Sequence, residues 1–169
     1  HGALWLTMRT TDGISDRSRK LAMKLWFPLV VVAVVFLVST AFSTRLYDNY
    51  LATPVLFIVP LIAVLSLLAI GHFTKRSAET KAFAASCLTI FMVTFTGVIG
   101  LYPNLIPSNI DPKFNLTIFN SSSSVYTLKI MTVVALVFVP IVIAYQIWTY
   151  RTFNERVASE DIGKDSHSY

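Results

Sequence analysis

Four long intervals without charged residues divide this chain. They cover residues 25–44, 49–74, 82–110 and 130–150. A helix needs about 20 mostly apolar residues to cross the hydrocarbon core of a bilayer, and each interval is long enough. The pattern therefore predicts membrane-spanning helices near residues 24–44, 52–73, 82–102 and 127–150. These segments are apolar around most of their circumference, which favours a membrane over the one-sided apolar face of a soluble helix.

The segments between these helices complete the predicted architecture. Residues 1–8 look like the end of a preceding transmembrane helix, so we expect an amino-terminally truncated piece. Residues 9–23 are predicted as a cytoplasmic loop, 103–126 as an external loop and 151–169 as a cytoplasmic tail. The external loop is rich in Pro and Ser, so we expect packing rather than regular secondary structure to order it. The predicted fold class is an all-α, polytopic membrane protein whose four transmembrane helices form one unit.

Composition supports a membrane protein. Of the 169 residues, 54% are hydrophobic and only 14% are charged, whereas a soluble domain carries about 25% charged residues. This excludes intrinsic disorder and most soluble folds. The net charge of +5 comes from basic residues that lie between the apolar blocks and do not form one cluster, so nucleic acid is not an expected partner.

The basic residues also predict how the chain is oriented. Eleven of the 14 Lys and Arg residues lie in residues 9–24, 75–81 and 151–164, and the other three, Arg45, Lys113 and Lys129, lie in the alternate connections. Since positively charged loops stay in the cytoplasm, we expect both ends of the chain to be cytoplasmic.

The spans contain little that could carry chemistry. All nine acidic residues lie outside the four apolar intervals, so no carboxylate relay for protons can be drawn through these helices. His72 could ligate a haem, but this would need a second ligand such as His1 or His167, and an ordinary interfacial histidine is the alternative. No catalytic or metal-binding motif is present, and we expect no catalytic, cofactor-binding or metal-ligating residue in this chain.

Two polar residues near the ends of the last span draw attention. Lys129 lies near the amino end of its helix, where a cation opposes the helix dipole. A lipid phosphate or water could compensate it, and so could Asp111, a partner subunit or a bound anion. Gln146 near the inner end could hydrogen-bond to a neighbouring helix.

Several sequence strings together resemble one known family. They are Gly100-Leu101-Tyr102-Pro103-Asn104-Leu105-Ile106-Pro107-Ser108, Tyr126-Thr127-Leu128-Lys129-Ile130-Met131 and Tyr145-Gln146-Ile147-Trp148-Thr149-Tyr150. The chain is similar to the carboxy-terminal half of subunit II of cytochrome bd-type quinol oxidases, over nearly its whole length except the tail. Val125 departs from the family pattern, in which we expect Pro after the serine run.

The resemblance implies a fold and a function. Subunit II of this family usually has eight transmembrane helices in two four-helix units, so the amino-terminal half would be missing here. The family's haems b and d and its quinol-oxidising site belong to subunit I, and subunit II is a haem-free partner. The complex is a quinol:oxygen oxidoreductase that oxidises quinol, reduces dioxygen to water and builds a proton gradient in aerobic respiration. The expected location is a bacterial or archaeal cell membrane.

On this interpretation the site residues have architectural roles. Five would shape the external loop near subunit I, and two would fix the inner end of the last helix. In that order they are Pro103, Pro107, Ser108, Asp111, Lys129, Gln146 and Trp148. The expected partners are subunit I and the lipid bilayer, with quinol, dioxygen and a bound quinone at the level of the complex. The alternative function is half of a multi-span secondary transporter.

Overall fold

The computed structural model describes residues 1–108 and 110–152. Its elements in chain order are α1 (Gly2–Arg9), α2 (Asp12–Ser43), α3 (Asp48–Ala52), a 3₁₀ turn (Pro54–Phe57), α4 (Ile58–Lys75), α5 (Glu79–Leu101), β1 (Asn104–Ile106), a second 3₁₀ turn (Pro112–Phe114), β2 (Leu116–Thr117) and α6 (Val125–Thr152).

Four of these helical segments are long and apolar enough to cross a membrane. They are Gly13–Ser43, Pro54–Lys75, Glu79–Leu101 and Val125–Thr152. The prediction of an all-α chain with four membrane-spanning helices is therefore confirmed. The described residues form two compact units, one of residues 1–102 and one of residues 103–152.

Small side chains let α4 and α5 pack closely in the first unit. Most of the buried residues of the two helices are small, including Ala63 and Ser66 on α4 and Ala82, Ala85 and Ser86 on α5. Such residues allow two helix backbones to approach within a membrane, where no hydrophobic force drives helices together. A hydrogen bond of 2.8 Å from Thr89 Oγ1 to Ser66 Oγ joins the two helices directly.

A tight turn connects α4 to α5. The amide of Ala78 donates to the carbonyl of Phe73, and the amide of Ser77 donates to that of Thr74. This pair of bonds is a Schellman motif, which requires one residue in the left-handed conformation. That residue is Ser77, with φ of 56°, at a position where Gly is normally preferred.

Trp26 fastens α2 to α4. Its indole Nε1 donates to the carbonyl of Leu67 over 2.9 Å, and its ring lies against Gly71, where a Cβ atom would come within 2.6 Å of it. The Trp26 ring, near the start of the apolar interval of α2, thus packs onto a neighbouring helix. The inward face of α2 continues through Ala22 to the buried Ser18 and Ser15.

The start of α2 differs from the prediction. The helix begins at Asp12, not near residue 24, so most of the predicted loop 9–23 is helical. The charges in this segment mark where the hydrocarbon ends, and they do not stop a helix. Packing on α1 continues there, since Ser15 Oγ donates to the carbonyl of Thr7 over 3.0 Å.

The other helix limits differ less. The predicted span 52–73 begins as a 3₁₀ turn at Pro54 and continues as α4 to Lys75, because Pro54 and Pro60 both suit the first turn of a helix. The predicted spans 82–102 and 127–150 correspond to Glu79–Leu101 and Val125–Thr152.

The second unit holds the external loop and α6. The loop contains regular structure that we did not expect, because β1 and β2 pair antiparallel, with Asn104 opposite Thr117. Of the predicted tail, residues 151–152 end α6, and residues 153–169 lie outside the described part of the chain.

We predict that Gly71→Ala lowers the free energy of unfolding by about 1–3 kcal/mol, because the new methyl group would overlap the rigid Trp26 ring. Detergent-solubilised protein titrated with a denaturing surfactant gives this value. The matched control is Gly97→Ala on α5, where nothing lies within 4 Å of the added carbon. Equal destabilisation by the two substitutions would contradict the packing assigned to Trp26.

Candidate functional site

An arginine on α2 binds the turn between α4 and α5. Arg19 Nη1 donates to Ser77 Oγ over 3.0 Å, and Nη2 donates to Glu79 Oε1 over 3.1 Å. Asp16, one turn earlier on α2, has its Oδ1 at 3.7 Å from the same Nη2. We call these four residues, Asp16, Arg19, Ser77 and Glu79, the Arg19 junction.

The local sequence explains each position in the junction. Glu79 is the first residue of α5, where an acidic side chain is favoured by the positive end of the helix dipole. Ser77 is held by the Schellman turn, which presents its hydroxyl to α2. The side chains are partly shielded from water, with exposed fractions of 31% for Arg19 and 15% for Glu79. This shielding makes the pair stronger than an open surface pair.

A small cleft adjoins the junction. It encloses about 200 Å³ including its open mouth, and its walls are Leu4, Thr7, Arg19, Thr74, Ser77, Glu79 and Ala82. The two threonine hydroxyls donate to carbonyls of their own helices, at 2.8 Å for Thr7 and 2.7 Å for Thr74. The cleft contains neither a nucleophile paired with a base nor a ligand set for a metal. The contacts of Arg19 with Ser77 and Glu79 are structural, and they join α2 to the α4–α5 turn.

A second polar cluster closes the opposite end of the first unit. Asn49 on α3 donates its Nδ2 hydrogens to the carbonyls of Ile99, at 2.9 Å, Gly100, at 3.2 Å, and Tyr102. The last carbonyls of a helix have no partner within the helix. We call this contact the Asn49 cap, because one amide group satisfies the end of α5.

Tyr50 supports the same end. Its side chain is fully buried, and its hydroxyl donates to the carbonyl of Thr96 over 2.7 Å. Burial raises the pKa of the Tyr50 phenol above its usual value. The hydroxyl thus stays protonated and remains a donor at neutral pH.

The two described histidines have different surroundings. His1 Nδ1 is 2.9 Å from Ser86 Oγ on α5, and its ring lies 4.6 Å from that of Phe83. The His72 ring contacts the adjacent Phe73 edge-on. Within residues 1–108 and 110–152, no group of three or more His, Cys, Asp or Glu residues could hold a metal ion.

Three predicted site residues of the external loop each contact a different loop residue outside the predicted set. Ser108 donates its amide to Asn115 Oδ1 over 2.7 Å, and Asp111 Oδ1 accepts from the amide of Lys113 over 2.8 Å. The carbonyl of Pro103 accepts from the amide of Ile118 over 3.0 Å. Pro107 is exposed. These contacts describe the loop, and a role beside a partner stays a prediction.

The predicted residues on α6 lie apart from one another. Lys129 and Gln146 are 17 positions apart, which is about 25 Å along a helix. Lys129 is exposed, and in the described ranges it forms no salt bridge with Asp111. Trp148 is 64% exposed and lies 6.1 Å from the Tyr145 ring, centre to centre.

Sequence reasoning missed the Arg19 junction and the Asn49 cap. Arg19 and Glu79 are 60 residues apart, and Asn49 and Ile99 are 50 apart. No local spacing relates them. The one available signal was the pair of polar segments at the same predicted membrane side, residues 9–24 and 75–81.

Comparison with known proteins gives a consistent family. The sequence profile of cytochrome bd terminal oxidase subunit II matches residues 1–153. The "Probable cytochrome oxidase subunit 2" of Haemophilus influenzae is 30% identical to this chain, over 99% of this chain and 51% of that protein.

Two further relatives carry the name of the same oxidase subunit. The "Cytochrome bd ubiquinol oxidase subunit 2" of Bacillus subtilis is 29% identical, over 95% of this chain and 47% of the relative. The "Cytochrome bd-I ubiquinol oxidase subunit 2" of Escherichia coli K12 is 28% identical, over 99% of this chain and 51% of the relative. The chain spans about half the length of the curated relatives it matches.

We predict an energetic coupling of about 1–2 kcal/mol between Arg19 and Glu79, above the 0–1 kcal/mol typical of exposed pairs. The single variants Arg19→Gln and Glu79→Gln and the double variant, compared by surfactant unfolding, measure it. The control cycle pairs Glu79→Gln with Arg17→Gln, since Arg17 is exposed and should show no coupling. Coupling equal in both cycles would show that net charge, and not the junction, is responsible.

We predict that Asn49→Asp destabilises the protein by about 1–3 kcal/mol at neutral pH, because a carboxylate cannot donate to the three carbonyls. Those carbonyls raise the pKa of the new carboxyl in the folded state, and its protonated form can donate. Stability should therefore recover as the pH falls, which unfolding between pH 4 and 8 would test. Asp48→Asn, at the exposed neighbouring position, should have little effect. A loss of stability that does not change with pH would refute the cap.

Proposed function

Because the chain belongs to the cytochrome bd terminal oxidase subunit II family, we propose that it is part of the haem-free supporting subunit of a quinol oxidase. The observation that carries the proposal is the family match over residues 1–153. It falls on a chain with four helices that are long and apolar enough to cross a membrane. The named relatives from Bacillus subtilis and Escherichia coli are ubiquinol oxidase subunits.

In the proposed complex the electron carriers belong to the partner, subunit I. Haems b and d there take electrons from quinol and pass them to dioxygen, which is reduced to water with protons from the cytoplasm. This chain supplies no step of that reaction. It contributes a rigid set of transmembrane helices against which the partner folds and is held.

The distribution of ionisable groups supports a structural role. All nine acidic residues and all 14 Lys and Arg residues lie outside the interiors of the four spans. A redox or proton pathway usually places ionisable groups at mid-depth, where they are costly and functional. The polar contacts at the Arg19 junction and the Asn49 cap join helices at the two ends of the first unit.

The proposed setting is a bacterial or archaeal cell membrane with both ends of this chain in the cytoplasm. Its support is the distribution of eleven basic residues against three. The Arg19 junction would then lie at the cytoplasmic face and the Asn49 cap at the outer face. The external loop, with Pro103, Pro107, Ser108 and Asp111, would face subunit I, while Lys129, Gln146 and Trp148 would position α6.

The family match does not favour the alternative of half a secondary transporter. That function would need a substrate site near the bilayer midplane, typically built from broken helices. α5 runs without a break from Glu79 to Leu101. Its polar residues Thr94 and Thr96 donate to carbonyls of α5 itself, and Thr89 donates to Ser66 of α4.

Purification of the full-length protein with its native membrane partners tests the proposal. We expect a haem-bearing partner to co-purify, with reduced-minus-oxidised bands of haems b and d. Deletion of the gene for this subunit should abolish quinol-dependent oxygen uptake, because the partner loses its support. Unchanged quinol oxidation after deletion, with no haem-bearing partner in the preparation, would refute the proposal. Haem bound stoichiometrically by this subunit alone would refute its haem-free character.

A further inference from the structure

One end of the first unit carries a dense set of exposed cations. Three lie on the early turns of α2, two end α4 or follow it, and one lies at the start of α5. We call them the basic rim: Arg17, Lys20, Lys24, Lys75, Arg76 and Lys81. None of the six forms a salt bridge within the part of the chain that the structure describes.

The Arg19 junction brings the two parts of the rim together. Arg19 joins α2 to Ser77 and Glu79, so the part of the α2 backbone that carries Lys20 lies beside the turn that follows Lys75 and Arg76. The junction also occupies two nearby carboxylates, those of Asp16 and Glu79, on one guanidinium. Both carboxylates contact Arg19, and the six exposed cations of the rim have no salt bridge among the described residues.

The part of the rim next to the apolar intervals lies at the expected depth of the phospholipid headgroups, and Arg17 reaches slightly beyond it. Lys24 is the last charged residue before the apolar interval of α2, and Lys75 and Lys81 border the intervals of α4 and α5. Lys20 and Arg17 lie four and seven residues before Lys24, which is about 6 Å and 10 Å along the helix. The headgroup region on each side of a bilayer is about 5–8 Å thick.

The surface of α2 changes from basic to apolar along the same rows. Arg17, Leu21 and Leu25 are spaced four apart and so lie on one helix face. Leu21 is 49% exposed and Leu25 is 54% exposed. A ligand along this face meets cations at one end and leucines at the other, which matches an anionic headgroup joined to acyl chains. A free phosphate or an acidic peptide would leave the leucines uncovered.

We propose that the basic rim is a binding surface for anionic phospholipids, with phosphate groups on the Lys and Arg side chains and acyl chains along Leu21 and Leu25. The surface depends on the membrane location of the chain and is independent of any oxidase activity. The Arg19 junction acts as its positioning device, because it keeps α2 and the α4–α5 turn at a fixed separation.

Lipid selectivity of the intact complex in lipid nanodiscs tests the proposal. The measured quantity is the association of spin-labelled phosphatidylglycerol relative to spin-labelled phosphatidylcholine. Each basic residue near an anionic surface is worth about fivefold in association. With other parts of the complex contributing, we expect the combined variant Lys20→Gln, Lys24→Gln, Lys75→Gln and Arg76→Gln to lower the ratio at least about twofold.

A matched variant removes cations from the other connections. Arg45→Gln and Lys113→Gln together should leave the ratio unchanged, whereas the rim pair Lys20→Gln and Lys24→Gln, which removes the same net charge, should lower it. An equal fall in both variants would overturn the proposal, because it would reflect net charge alone. An unchanged ratio together with loss of the haem-bearing partner from the rim variant would also overturn it and would assign the rim to a protein contact.

The wild-type complex gives a second measurement that needs no variant. Raising the salt from 0.01 M to 1 M shortens the Debye length from about 30 Å to about 3 Å. The phosphatidylglycerol ratio should then fall while phosphatidylcholine association stays constant. A ratio independent of salt would contradict the rim. Inorganic phosphate at matched ionic strength should not displace the lipid, and displacement would identify a site for free anions instead.

Discussion

Hydrocarbon offers a polypeptide no hydrogen-bonding partner, so a segment that crosses it must satisfy its own amides as a helix. In this chain that constraint gives four charge-free segments of at least 20 residues and moves every acidic residue beyond them. It also determines where polar side chains can act between helices. Within the spans, α4 and α5 are joined by short hydroxyl side chains, those of Thr89 and Ser66. The charged pair of Arg19 and Glu79 lies at one end of the unit, and the Asn49 amide lies at the other.

The first unit is consequently held by two kinds of contact. Close packing of small residues joins α4 to α5 along their length, and this is the stabilisation that remains where the surrounding lipid is as apolar as the side chains. Side chains with several donors fasten the ends, with a guanidinium at one and a carboxamide at the other. Both reach across about 50 to 60 residues of sequence.

The spans could be predicted because hydropathy is a local property, and a run of 20 apolar residues has few alternatives. The limits of the helices were harder. The charged segment of residues 9–23 is predicted as a loop, yet α2 begins at Asp12. Charge shows where lipid ends, and the hydrogen bonds of a helix do not require lipid. The Trp26 ring packs into the space left by Gly71 on α4, and hydropathy does not predict this contact. The partners of Arg19 and Asn49 depend on tertiary packing, which no local spacing encodes.

Ser77 has a consequence for assembly. A left-handed backbone costs a residue with a Cβ atom about 1 kcal/mol or more, and here the hydroxyl of that residue accepts a hydrogen bond from Arg19 of α2. The loop after α4 therefore reaches its lowest energy only when α2 already stands beside it. Because α2 precedes α4 in the chain, α2 is synthesised first. The α4–α5 hairpin is thus synthesised after the helix on which it packs. In an incorrectly oriented hairpin the cost of the Ser77 backbone would not be offset by the hydrogen bond from Arg19.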